Sequence, residues 1–74
     1  MQTTDPTIAA IALALGSKMT GISDDGRKIT FDLSGVPEHF EQDLVNDALQ
    51  VSARKVIDHT AYLVRQIRNR KDAR

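Results

Sequence analysis

The stretch Phe40-Glu41-Gln42-Asp43-Leu44-Val45-Asn46-Asp47-Ala48-Leu49-Gln50-Val51-Ser52-Ala53-Arg54-Lys55-Val56-Ile57 decides how this chain folds. Neither glycine nor proline interrupts the sequence from Glu38 to Arg70, so composition alone permits one unbroken helix there. The apolar phase does not. Advancing about 100° per residue from Phe40, the set Phe40, Leu44, Ala48 and Val51 centres near about 35°, whereas Val56, Ile57, Val64 and Ile67 centre near about 210°. A single amphipathic helix keeps its apolar stripe on one side, so a stripe that crosses over between Val51 and Val56 implies two helices. Ser52 stands at the crossover and suits an N-cap, where its hydroxyl accepts a backbone amide proton. The expectation is therefore helices over 37–49 and 53–70, a junction at 50–52, and a polar tail over 69–74 that frays.

Toward the N-terminus, Ser34-Gly35-Val36-Pro37 separates these helices from an alternating run. In Lys28-Ile29-Thr30-Phe31-Asp32-Leu33 the apolar Ile29, Phe31 and Leu33 face one way and Lys28, Thr30 and Asp32 the other, the pattern of a strand with one wet side. Asp25-Gly26 predicts a two-residue hairpin turn with positive φ at both positions, which sets Ile22 opposite Ile29 and Thr20 opposite Phe31. The preceding strand, containing Lys18 and Gly21, carries the weaker pattern. Further upstream Asp5 and Pro6 suit the N-cap and first position of a helix, and Gly16 its end. Ile8, Ile11, Leu13 and Leu15, with the alanines between them, leave that helix apolar nearly all round. A helix so short is marginal alone and must be covered by the rest of the fold or by a second chain. Residues 1–4 are expected to fray. The sum is a single α+β domain over 1–74 with the order helix, β-hairpin, helix, helix (αββαα).

At 74 residues, the chain buries only about 60% of the surface its unfolded form exposes. It has no cysteine, so neither a disulfide nor a thiolate metal site supplements the core. A homodimer is the expected remedy, through Val56, Ile57, Ala61, Leu63, Val64 and Ile67 of the last helix. The most apolar run, Ile8 to Leu15, is far below the about 20 residues of a membrane span and has no basic stretch before it. A soluble, cytoplasmic protein is the expectation. The formal net charge of zero conceals two unlike halves. Residues 1–47 carry three bases (Lys18, Arg27, Lys28) against eight acids (Asp5, Asp24, Asp25, Asp32, Glu38, Glu41, Asp43, Asp47), a net of minus five. Residues 48–74 carry seven bases against Asp58 and Asp72, a net of plus five. Such a chain suits packing of one end on the other, or display of the basic end to a polyanion, and helix ends charged to suit their dipoles account for the same pattern.

Catalytic signatures are sparse. His39 precedes Asp43 by four residues but lacks the second histidine of an HExxH pair and a third ligand nearby, so no metal is expected. His59, next to Asp58, reads as a packed or interfacial residue. There is no glycine-rich phosphate loop, no GxSxG elbow and no cysteine nucleophile, so the chain reads as a non-enzyme with no cofactor and no small-molecule substrate.

Two groups suggest binding instead. If Lys28, Thr30 and Asp32 of two copies paired edge to edge, their side chains would form a ribbon of a width that enters a DNA major groove. Asp32 repels phosphate, and a plainly solvated strand face explains the same residues. Arg54 and Lys55 lie in the first turn of the last helix, where positive charge opposes the dipole at a cost of roughly 0.3–1 kcal/mol. A phosphate held by Ser52, Arg54 and Lys55 relieves that cost, and so does a salt bridge to Asp47, Asp58 or a second chain.

From Lys28 to Ile67 the order strand, short helix, serine-capped junction, helix resembles the ribbon-helix-helix repressors. The resemblance implies a dimer that reads bases with Lys28, Thr30 and Asp32 and holds phosphate at Ser52 and its neighbours. Gln50 stands where that family has glycine, and the first twenty-six residues have no counterpart. From Thr7 to Leu49 the order helix, hairpin, helix, with Asp25-Gly26-Arg27-Lys28-Ile29-Thr30-Phe31 at the turn, is similar to the small head-to-tail joining proteins of lambda-like phages. That resemblance implies protein assembly and no base-reading residue. A dimeric DNA-binding regulator is the first reading, and a protein-binding assembly or inhibitory factor the second.

Overall fold

In the computed structural model of the chain, which describes residues 1–72, Asp5 opens the first helix. Its Oδ1 accepts from the amides of Thr7 at 2.8 Å and Ile8 at 3.4 Å, and Pro6 takes the first position of α1 (Pro6–Ala14). The missing proline amide costs nothing there, since that donor has no partner in the helix. Gly16, at φ 103°, turns the chain out of the helix. Ala9, Ala10 and Ala12 are fully buried, so α1 contributes small side chains that let its neighbours approach closely.

Strands β2 (Lys18–Asp24) and β3 (Ile29–Ser34) form the expected hairpin, in a different register. Asp24 pairs with Ile29 and Ile22 with Phe31, so the connection is Asp25–Lys28 and not the two-residue turn. The cause lies in the two aspartates. Asp25 Oδ1 accepts from the amides of Arg27 and Lys28, both at 2.9 Å, and Asp24 Oδ1 accepts from Gly26 at 2.9 Å. These carboxylates satisfy the loop amides that a tight turn would have left to the strands. Of the two, only Gly26 has positive φ, 91°. The change of register is by two residues, so Ile29, Phe31 and Leu33 keep the face the alternation gives them, and Phe31 and Leu33 are buried. Thr20 is the extra residue of a bulge between Met19 and Gly21.

Residues 1–4 do not fray. Gln2–Thr3 form β1, antiparallel to β3, with Gln2 opposite Asp32 and Thr3 opposite Phe31. Met1 extends the pairing: its carbonyl accepts from the Leu33 amide at 2.8 Å and its nitrogen donates to the Leu33 carbonyl at 2.9 Å. The sheet order is β1-β3-β2, which places β3 in the centre.

The long uninterrupted stretch is broken, as the crossover of its stripe requires. The first helix there, α2 (Phe40–Val45), is shorter than 37–49. His39 caps it without a side-chain hydrogen bond. Its end is a Schellman arrangement: the Ala48 amide donates to the Asp43 carbonyl at 2.8 Å and the Asp47 amide to that of Leu44 at 3.3 Å. Asp47 takes the left-handed position, φ 56°, where glycine is usual. Helix α3 (Ala53–Asp72) follows, extending past residue 70. Of the tail expected to fray, Asn69 to Asp72 are helical, and residues 73 and 74 lie outside the described residues. Ser52 caps α3 with its Oγ accepting from the Lys55 amide at 3.3 Å.

The core is one cluster of Ala9, Ala10, Ala12, Phe31, Leu33, Phe40 and Leu63, with Val56, Ile67 and Leu49 half-buried against it. Helix α3 packs along α1, supplying the cover that the all-round apolar α1 needs. No described helix is long and apolar enough to cross a membrane.

Candidate protein-binding surface on the last helix

Helix α3 has two apolar faces, and the fold uses one. Leu63 is fully buried, and Val56 and Ile67, on the same side of the helix, are half-buried against the core. These three, expected at a dimer interface, face the chain's own α1 and sheet. The physical reason is the alanine surface of α1: Ala9, Ala10 and Ala12 let α3 approach closely, and Leu63 joins Phe31, Leu33 and Phe40 in the core. Ile57, Ala61 and Val64 are spaced i, i+4, i+7 and form a second stripe. Ile57 is 64% exposed and Val64 39% exposed. Arg54, Arg65 and Arg68 lie along the same side by helical spacing, and all three are exposed. The result is a narrow apolar strip on a rigid helix, bordered by guanidinium groups.

The anion-binding trio expected at the start of α3 has other engagements. Ser52 Oγ is occupied by the Lys55 amide. Arg54 Nε lies 3.4 Å from Asp58 Oδ1, one turn along, in a pair whose side chains are 85% and 64% exposed. This is one of the salt bridges that the sequence offered as an explanation of Arg54, and at such exposure it stabilises the helix by at most about 0.5 kcal/mol. Lys55 is exposed, about 100° around the helix from Arg54.

The base-reading trio is also separated. Lys28 lies in the hairpin loop, and Thr30 and Asp32 are half-buried on the central strand. Both edges of β3 are filled, by β1 and β2, so the ribbon of two β3 strands has no free edge on which to form. Asp32 leans across the sheet. A Cβ placed on Gly21 would come 3.2 Å from Asp32 Oδ2, so the glycine makes room for that carboxylate. The Thr20 hydroxyl donates to the Asp32 carbonyl at 3.3 Å.

His39 is exposed at the start of α2 and His59 is half-buried on α3. No group of three His, Asp or Glu side chains converges among the described residues. A surface depression of about 740 Å³ runs from Leu33 to Gln42 beside Met1 and includes His39 and Glu41.

Two further large apolar side chains are exposed, Tyr62 on α3 at 48% and Val45 on α2. Val45 is 84% exposed, on the outer face of α2 with Glu41 one turn before it. Its phase gives it away: Phe40 and Leu44 set the buried side of α2, and Val45 falls about 100° beyond Leu44.

No protein-family model, curated protein or solved structure matches this chain.

Proposed function

We propose that this chain is a non-enzymatic assembly or inhibitory protein that binds another protein chain through the outer stripe of α3. The observation that carries the reading is Ile57, a large apolar side chain 64% exposed on a helix whose neighbouring face is locked into the core. With Ala61 and Val64 it supplies the i, i+4, i+7 anchors by which one helix recognises another, and arginine borders are characteristic of protein interfaces. The helix, hairpin, helix order of residues 7–49, similar to phage joining proteins, supports the same class of function. Regulation through DNA, which drew on Arg54 and Lys55 as phosphate ligands and on a ribbon of two β3 strands, is the weaker reading, because Arg54 pairs with Asp58 and β3 has no free edge.

The test is site-specific photo-crosslinking in the native host from position 57, with position 30 on the open sheet face as the control. A discrete protein adduct from position 57, absent from position 30 and abolished by Val64→Glu, is the expected result. Equal labelling from both positions overturns the reading. So does tight binding to duplex DNA at about 50 mM salt that is lost in Arg54→Ala/Lys55→Ala.

A further inference from the structure

The geometry points to a second copy of this chain as the occupant of the α3 stripe, seated by the acidic outer face of its α2. This rests on the proposed role of the stripe and names its partner.

The two surfaces are complementary in the same molecule. On α3, Ile57, Ala61 and Val64 are bordered by Arg54, Arg65 and Arg68, and among the described residues only Arg54 has an ion-pair partner. On α2, Phe40 is buried and Leu44 half-buried, which turns Glu41 and Val45 outward. Val45 is 84% exposed, more than any other large apolar side chain described, and Glu38, Glu41 and Asp47 around it in sequence are exposed too. None of these acids has an ion-pair partner among the described residues. Each surface thus has an apolar centre; the border on α2 is acidic, and on α3 three arginines outnumber Asp58, which pairs with Arg54, so the net signs are opposite. The steep charge division of the chain, minus five in residues 1–47 and plus five in 48–74, becomes intelligible as the two sides of one contact.

A symmetric pairing of α3 on α3 is the natural rival, and charge disfavours it. Laid antiparallel about Ala61, the two helices would set Arg54 opposite the other copy's Arg68, since each is seven residues from the centre. Like charges facing one another across an interface are repulsive. A contact between unlike surfaces leaves one stripe and one acidic face free at the ends of each pair, so it continues into a ring or an open chain.

Sedimentation velocity over a range of concentrations tests this with two variants at exposed positions, Val45→Lys and Ile57→Glu, each checked for native circular dichroism. The wild type is expected to associate, at least tenfold more weakly when salt is raised from about 0.05 M to about 0.5 M. Each variant alone is expected to be monomeric, and their mixture to form a one-to-one pair that grows no further, because one intact stripe meets one intact acidic face. A wild type that stays monomeric, or a Val45→Lys variant that still associates while Ile57→Glu does not, overturns this inference and leaves the stripe with a different partner. If Ile57→Glu associates as the wild type does, the stripe is not the contact and both readings fall.

Discussion

Replacing Leu63 with alanine tests whether α3 belongs to the chain's own core. Leu63 is fully buried, and its neighbours in the cluster are the alanines of α1 and the rings of Phe31 and Phe40, none of which can extend to fill the space left. Deletions of this kind cost about 2–5 kcal/mol, part lost transfer energy and part cavity. At typical stabilities per residue a chain of 74 residues has roughly 4–11 kcal/mol in total, so the loss is a large fraction of what holds it together. Urea unfolding of dilute protein, followed by circular dichroism, reads it directly. With a slope of about 1 kcal/mol/M, the midpoint should fall by about 2 M or more. Ile57→Ala, one and a half turns away on the exposed stripe, should stay within about 0.5 kcal/mol of the wild type. A loss below about 1 kcal/mol for Leu63→Ala refutes the reasoning, since it removes Leu63 from the chain's own core.

Variants at three further positions probe the local devices that shape the fold. Asp47→Gly relieves a left-handed backbone position at φ 56° and should raise stability by up to about 1 kcal/mol, whereas Asp47→Val should lower it, both measurable as urea midpoints. Ser52→Ala removes the acceptor for the Lys55 amide and should cost about 1 kcal/mol, with amide exchange rising first at the start of α3. Asp25 is held below the usual aspartate range by hydrogen bonds from the amides of Lys28 and then Arg27. A carboxyl with a lowered folded pKa stabilises the protein above its unfolded pKa, and loses that contribution as pH falls through the folded value. Asp25→Ala should therefore be less stable than the wild type at neutral pH, with the gap in thermal midpoint closing in acid. A gap that holds constant down to strongly acidic pH would contradict the assignment.

The break in the helical stretch was readable because it is written in phase: Phe40 and Val56 cannot share one stripe, whatever the intervening propensities. Its position was less so, because the stop at Asp47 uses an aspartate where glycine is the familiar signal. The hairpin announced itself through alternation, yet its register depended on which amides the Asp24 and Asp25 carboxylates would claim, a competition between side chain and strand that pattern does not rank. Strand β1 left almost no trace, since two residues are too few to alternate, and it exists because β3 offers a second edge. Among the candidate site residues, Ile57, Ala61 and Val64 are exposed as an interface requires, while Val56, Leu63 and Ile67 are drawn inward by α1. Sequence sees a wide apolar surface and cannot apportion it between the chain and a partner. The ribbon of two β3 strands imagined for Lys28, Thr30 and Asp32 has no edge on which to form, because β1 and β2 fill both sides of β3.

The central claim is that the chain bends between Val45 and Ala53 so that one face of α3 folds back onto α1. Carbon chemical shifts across residues 40–60, together with nuclear Overhauser contacts from the Leu63 methyls, measure both halves of it in one sample. Helical shifts that end near Val45 and resume at Ala53, with Leu63 contacting the alanines of α1, are the predicted result. Continuous helical shifts through Asp47 and Ser52, or a Leu63 with no contact to α1, would contradict it.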